Sequence, residues 1–170
     1  LFFKETQTVT VTASDNSGDA VKIEYLLSDK ALSETELVSA TFTSYTDSFS
    51  INPDNKYVVY AKLTDTNSNA TYINSEGMVL DATVPVITGV ENGETYCEAQ
   101  TVTVTEDYIE SVKVNGTAVT LDANNQFTLN PAEGTQKIVA IDKAGNVSVE
   151  ITVTVNDGHT YEWQEDNGQY

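Results

Sequence analysis

The amino-acid sequence predicts an all-β fold of two tandem β-sandwich modules joined by a short Pro-containing linker, and three observations carry that reading. Thr occurs 24 times and Val 20 times among the 170 residues; β-branched side chains lose χ1 freedom in a helix but pack well on a pleated surface. The hexapeptide Gln-Thr-Val-Thr-Val-Thr stands at 7–12 and again at 100–105, an offset of 93. Its alternation is that of a strand with one buried face, which points Val9 and Val11 inward. Each half also closes on a second anchor, Asp-x-x-x-Asn at Asp65–Asn69 and at Asp142–Asn146, preceded and followed by apolar runs.

In the first module, residues 1–82, Ala20–Leu27 reads as a strand. Asp29–Leu37 is polar with a helical leaning, and its Ser33-Glu34-Thr35-Glu36 segment can cap a short helical turn. Val38–Thr43 and Ser48–Ile51 read as strands. Along Lys56–Thr64, the residues Tyr57, Val59, Ala61 and Leu63 share one face, which is assigned to the core, leaving Tyr60 outward. A turn at Asp65–Asn69 leads to a last strand over Ala70–Leu80, because short Asx side chains bond nearby backbone groups and tolerate left-handed conformations. The two Asp anchors are 77 residues apart. The first module therefore carries 16 more residues than the second between its anchors, placed between Tyr25 and Ser50.

Asp81-Ala82-Thr83-Val84-Pro85 is the join, since Pro lacks a donor and holds its predecessor extended. The second module, 85–155, opens with a strand over Pro85–Val90. The first has no counterpart unless Leu1–Phe3 supplies one, so it is expected to be truncated at its N-terminus. Ser111–Val114, Asn115-Gly116 and Thr117–Leu121 form a hairpin, the Asn-Gly pair being the strongest short-range signal for one. A loop at Asp122–Asn125, a strand at Gln126–Leu129, a strand at Lys137–Asp142 and a final strand at Val147–Val155 follow. Residues 156–170 read as a linker or the start of a further unit.

Charge and the rarer residues exclude several functions. Asp plus Glu number 26 against 8 Lys and no Arg, a net charge of −18, so the surface repels nucleic acid. One Cys (97) and one His (159) make neither an intrachain disulfide nor a zinc site. No segment is long and apolar enough to insert in a membrane as a helix. Cys97 reads as a small half-buried apolar side chain.

Residues 1–18 (LFFKETQTVTVTASDNSG), 56–81 (KYVVYAKLTDTNSNATYINSEGMVLD), 85–119 and 140–153 (AIDKAGNVSVEITV) together resemble the bacterial immunoglobulin-like repeats of large secreted and cell-surface proteins, especially those of Gram-positive gut bacteria. The resemblance spans about residues 1–155. It implies Ig-like sandwiches that are non-catalytic, exported, and strung as spacers between functional domains of one polypeptide, adhesins among them. Ser68 stands where that family's turn carries Gly.

Two kinds of ligand site are weighed. For calcium, the oxygen-rich candidates are Asp15 and Asp19, Asp65 with Asn69, and Asp142 with Asn146; none has the spacing of a twelve-residue helix-loop-helix site, and turn capping accounts for the same residues. For sugars, Tyr60, Tyr72 and Trp163 are candidate stacking platforms, which keeps open a carbohydrate-binding module pair or the accessory domains of a secreted glycoside hydrolase. No catalytic residue is assigned and no cofactor is required. Expected partners are neighbouring domains of the same polypeptide, with host or cell-wall glycans or proteins beyond them, and the edge strands are expected to be polar and Lys-bearing.

Overall fold

A computed structural model describes residues 1–157. The tail, with His159 and Trp163, lies outside the described residues. The chain separates into two compact units, Leu1–Thr83 together with the turn Lys143–Asn146, and the remainder from Val84. Each unit is β-built, with one short helix in the first.

The first unit contains β1 (Phe2–Phe3), β2 (Gln7–Val9), β3 (Lys22–Ser28), α1 (Glu34–Ser39), β4 (Thr43–Ser44), β5 (Phe49–Ile51), β6 (Asn55–Thr64), β7 (Ala70–Asn74) and β8 (Met78–Leu80). The large sheet runs β1-β8-β6-β3-β4, and β7 pairs with β6 beyond the end of β8. The run read as a single strand over 70–80 breaks at Ser75, whose hydroxyl accepts from Val59 N at 2.9 Å while its own N–H donates to Val59 O. Opposite the large sheet, β2 and β5 pair antiparallel. The inter-sheet side of β6 presents Val59 and Ala61, both buried, and Tyr25 from β3 stacks on Phe49 from β5 with ring centroids 4.2 Å apart.

Strand β6 is buried on its second face as well, which overturns the outward placement of Tyr60. Val58 and Tyr60 are 8% and 3% exposed and pack with Leu37 of α1, flanked by Leu26, Leu32, Phe42 and Tyr72. The extra residues of the first module are the cause: they fold back over the sheet. The cross-strand partners Val9 and Phe49 stand 40 residues apart, whereas Val102 and Phe127 stand 25 apart, a difference of 15 against the expected 16. Val38, read as the start of a strand, belongs to α1 instead.

The second unit contains β9 (Val86–Thr88), β10 (Thr95–Tyr96), β11 (Gln100–Thr105), β12 (Ile109–Val114), β13 (Thr117–Val119), β14 (Gln126–Leu129), β15 (Thr135–Asp142) and β16 (Ile151–Val155). Its sheets run β10-β16-β15-β12-β13 and β14-β11-β9. One core unites them: Val102, Val104, Phe127 and Leu129 from the smaller sheet meet Val112, Ile138, Ala140, Val153 and Val155 from the larger. That is a β-sandwich, its two inner faces supplied by alternate residues. Asn115 and Gly116 have φ of 49° and 79°, the left-handed pair that a two-residue hairpin with native twist requires.

The repeat extends beyond the hexapeptide. Phe3 and Tyr96, 93 apart, lie at equivalent positions: Phe3 O accepts from Asp81 N and Tyr96 O from Asn156 N, both at 2.9 Å. Gln7 and Gln100 each turn their amide to a backbone oxygen two residues back, Glu5 O and Glu98 O. Leu1–Phe3 thus matches Glu94–Tyr96, and β9 has no counterpart among the described residues of the first unit. Cys97, matched to Lys4 in the turn after β10, is exposed, which corrects its half-buried reading.

Gly89, at φ +91°, brings β9 so close to β11 that a Cβ there would lie 2.1 Å from Thr101 O. Gly89→Ala is expected to lower the second unit's unfolding free energy by about 3 kcal/mol or more, because both the conformation and the space are denied. Gly93→Ala, with positive φ but open space around it, should cost about 1 kcal/mol. Denaturant midpoints of the two variants check the contrast, and equal costs would refute it.

Candidate functional site

Two of the acidic residues singled out by the sequence, Asp65 and Asp15, cap sharp turns, and Asp122 does the same. At Asp65, Oδ1 accepts from Asn67 N (2.9 Å) and Asn69 N (2.8 Å), Oδ2 accepts from the Asn69 side chain (2.7 Å), and Ser68 N donates to Asp65 O. Ser68 has φ +68°, so the missing Gly is replaced by a serine held left-handed. Asp122 repeats the pattern: its Oδ1 accepts from Asn124 N and Gln126 N, Asn125 N donates to Asp122 O, and Asn125 has φ +57°. At Asp15, Ser17 N donates to Oδ1 at 2.7 Å, Gly18 N donates to Asp15 O, and Gly18 has φ +81°. Ser17 Oγ also donates to Asp19 Oδ2 at 2.8 Å.

These carboxylates cap backbone N–H groups that a sharp turn leaves without ladder partners. Hydrogen bonds to the charged form favour ionisation. The Asn69 side chain, followed by the Asn69 backbone, holds the Asp65 carboxyl below its usual range, and the Ser17 side chain and backbone do the same for Asp15 against a small opposing repulsion from Asp65. Asp15, Asp65 and Asn69 border one shallow depression of about 270 Å³ in the first unit. The three carboxylates of Asp15, Asp19 and Asp65 do not bring an oxygen each to within 4.8 Å of one another. Asp142 ends β15 and is buried, as is Asn146 in the following turn, where Gly145 takes φ +89°.

The aromatic candidates part company. Tyr60 is buried, and its hydroxyl accepts from Leu32 N at 2.7 Å, anchoring the segment that leads into α1. Tyr72 is half-buried with its ring against Phe42, centroids 5.7 Å apart. Tyr60 is thus part of the core, Tyr72 keeps part of its surface in solvent, and Trp163 lies outside the described residues. The helix they support is fixed by a capping box: Ser33 Oγ accepts from Glu36 N while the Glu36 carboxylate accepts from Ser33 N at 2.8 Å. That backbone bond, then the Ser33 hydroxyl and Lys30, holds the Glu36 carboxyl down at about 2.

What sequence reading missed is structural: Tyr60's second burial and the Ser75 and Ser148 hydroxyls. Ser148 accepts from Ala140 N at 2.9 Å as Ser75 does from Val59 N. The two pairs, 59/75 and 140/148, are equivalent kinks in hairpins that differ by eight residues. No pattern in a single sequence marks them.

No family model matches the chain, and no curated protein matches it. Three solved structures are similar in shape. One, of fibronectin(III)-like modules of Clostridium thermocellum CbhA, is 14% identical, with 96% of this chain and 93% of that one covered and a TM-score of 0.37. Another, of the N-terminal four Ig domains of Dscam1 isoform 8.4, is 9% identical over 92% of this chain and 42% of that one, with a TM-score of 0.46. The third, of a Bacteroides ovatus SGBP-B in complex with a mixed-linkage heptasaccharide, is 10% identical over 90% and 42%, with a TM-score of 0.32. With TM-scores below 0.5, none of the three carries an argument about this chain; its class, a two-unit β-sandwich protein, rests on its own sheets and cores.

Two measurements follow. Tyr60→Phe removes the acceptor of a part-buried N–H and is expected to cost the first unit about 1–3 kcal/mol, read as a lowered denaturant midpoint; an unchanged midpoint would show that the bond contributes nothing. Glu36 has a lower pKa folded than its ordinary 4.5, so its capping contribution is complete above pH 4.5 and fades as pH falls toward 2. A carboxyl NMR titration should place its midpoint near 2, and a midpoint near 4.5 would contradict the capping geometry.

Proposed function

We propose that this chain is a load-bearing spacer: two non-catalytic sandwich units of an exported cell-surface protein that hold neighbouring domains of the same polypeptide apart. One observation supports this above the rest. In each unit the short strand just before the repeated Gln-Thr-Val strand pairs in parallel with the unit's closing strand, β1 with β8 and β10 with β16. Backbone bonds at each junction include Val79 N to Leu1 O and Asp81 N to Phe3 O in the first, and Thr154 N to Glu94 O and Asn156 N to Tyr96 O in the second, all 2.9–3.0 Å.

The direction of pairing matters under tension. When strands run parallel, pulling the start of one against the end of the other loads their hydrogen bonds together, in shear. Antiparallel neighbours pulled from adjacent ends open one bond at a time. A module with a parallel terminal clamp therefore resists extension better than its equilibrium stability alone implies.

The other features fit the same role. Acidic side chains capping turns require no cleft, and a net charge of −18 repels anionic polymers. No helix among the described residues is long and apolar enough to cross a membrane.

Single-molecule extension of the two units between inert handles tests the reading. Two unfolding events are expected, both at forces above those that peel an antiparallel hairpin. Val79→Pro deletes one clamp donor inside β8, which is paired on both edges; it should lower the first unit's stability by more than the loss of one hydrogen bond, about 1 kcal/mol, alone, and markedly lower the force of one event only. Unfolding at hairpin-like force, turnover of a polysaccharide panel, or saturable glycan binding lost in Tyr72→Ala would each overturn the proposal.

A further inference from the structure

The two units build the same pair of neighbouring strands, but only one of them carries a cover over it. In the second unit β12 passes to its partner β13 through Asn115-Gly116 alone. In the first, β3 and its partner β4 are separated by residues 29–42, which include α1. The kinks at Ser75 and Ser148 align Val59 with Ala140, so Val58 and Tyr60 match Val139 and Ile141. Those two residues of the second unit are half-buried, and no helix stands in that unit among the described residues. A sandwich of this kind therefore closes without the insertion. The first unit's ladder is equally independent of it: β3 pairs with β6 from Lys22 opposite Thr64 to Ser28 opposite Val58, and β6 pairs onward with β7 and β8.

What holds residues 29–42 down is slight and local. Leu37 is their one buried residue, and Val38 beside it is 73% exposed. The helix closes with Leu37 N on Ser33 O at 2.9 Å and Ala40 N on Leu37 O at 3.3 Å. It ends without a left-handed cap, Ala40 being extended at φ −75°, and its last turn carries no basic side chain to offset the helix dipole. The Lys30–Glu36 ion pair is solvent-exposed and contributes little.

Beyond the capping box, the attachments run to one place on the sheet. Leu32 N donates to the Tyr60 hydroxyl at 2.7 Å, Leu37 packs with Val58 and Tyr60, and Phe42 lies against Tyr72. A segment whose anchors converge on one patch comes away all at once, because losing one anchor removes the geometry that holds the others.

We propose that residues 29–42 are a strap, which opens as a single unit while the sheets of the first unit stay paired, and closes again over the outer face of β6. The first unit then has two folded forms. In the closed form Val58 and Tyr60 are dry. In the open form the Tyr60 hydroxyl is released from Leu32 N, and the apolar face that it shares with Val58, Leu26 and Tyr72 meets water. Exposure of that face keeps the open form a minority. The second unit, with Asn115-Gly116 in the strap's place, has no such form.

The test is native-state hydrogen exchange of the whole chain, followed by NMR at denaturant concentrations below the unfolding transition. The amides of Leu32, Leu37 and Ala40 are expected to share one opening with a shallow denaturant dependence. They should exchange about tenfold or more faster than the amides of Leu26 and Tyr60, ladder partners in β3 and β6. Ser33→Ala removes the cap acceptor and should speed all three strap amides together by about fivefold, Leu32 included, although its own acceptor is untouched. Ile51→Val removes one methyl group from the opposite sheet, where Ile51 is buried in β5; it should speed the ladder amides and leave the strap amides as they were. Strap amides that exchange only together with the ladder would overturn the inference. So would a Ser33→Ala effect confined to Leu37 and Ala40, or strap amides that speed up in Ile51→Val in step with the ladder.

Discussion

Every element of this protein answers to one constraint: a strand has two faces, and each apolar face must be taken out of water by something. In the second unit the answer is uniform. The alternate residues of β11, β12, β15 and β16 turn their Val, Ile and Ala side chains into one slab, each fully buried Val or Ile contributing on the order of 1.5–3 kcal/mol, and the opposite faces carry mostly Thr, Lys and Glu, with half-buried Val139 and Ile141 of β15 the exception. In the first unit the answer is divided. β6 carries apolar residues on both faces, Val59 and Ala61 on one and Val58 and Tyr60 on the other, so the sandwich alone cannot cover it. Helix α1 exists to bury the second face, and its capping box, the Tyr60 hydroxyl and the Leu37 side chain are the means by which a six-residue helix, too short to be stable alone, is held there.

Much of the fold was legible because alternation survives in a single sequence. The repeated Gln-Thr-Val-Thr-Val-Thr placed β2 and β11, Asn115-Gly116 placed the β12–β13 turn, and Ser33-x-x-Glu36 placed the start of α1. Periodicity fell short where a strand has two apolar faces, since the run Tyr57-Val58-Val59-Tyr60-Ala61 has no alternation to read. Assigning one face to the core and the other to water followed from a pattern rule that holds for half-buried strands; Tyr60 broke it because the covering residues come from a segment 20 to 30 positions earlier. Local side chain to backbone bonds were half legible. The Asp turns have a composition, Asp and Asn around a left-handed residue, but Ser75 and Ser148 are ordinary serines at breaks between strands, and only the kinked ladder reveals their function.

The candidate sites illustrate how composition misleads about chemistry. Twenty-six acids guarantee oxygen-rich clusters, and Asp15, Asp65 and Asp122 all sit where calcium might be sought. Each accepts from amides of its own turn, and at Asp65 and Asp15 those bonds hold the carboxyl below its usual range. The decisive comparison is internal: Asp122, which no spacing argument singled out, makes the same bonds as Asp65. A geometry shared by turns in both units, at Asp65 and Asp122, is a property of the turn.

The internal repeat is also what gives the open edge of β2 its meaning. An exposed valine on an unpaired strand is in itself unremarkable on a protein surface. Here the same six residues occur twice, and in the second copy the same backbone groups are satisfied, the same valines are dry, and the neighbour responsible, β9, is known down to its glycine. The first unit meets part of the deficit internally, using the Tyr45 hydroxyl where the second uses a backbone carbonyl, and that substitution lies on the β5 side only. On the other side, no strand among the described residues lies along Thr10–Thr12, and the half-wet valines and Ile73 are what that difference between the two copies leaves exposed.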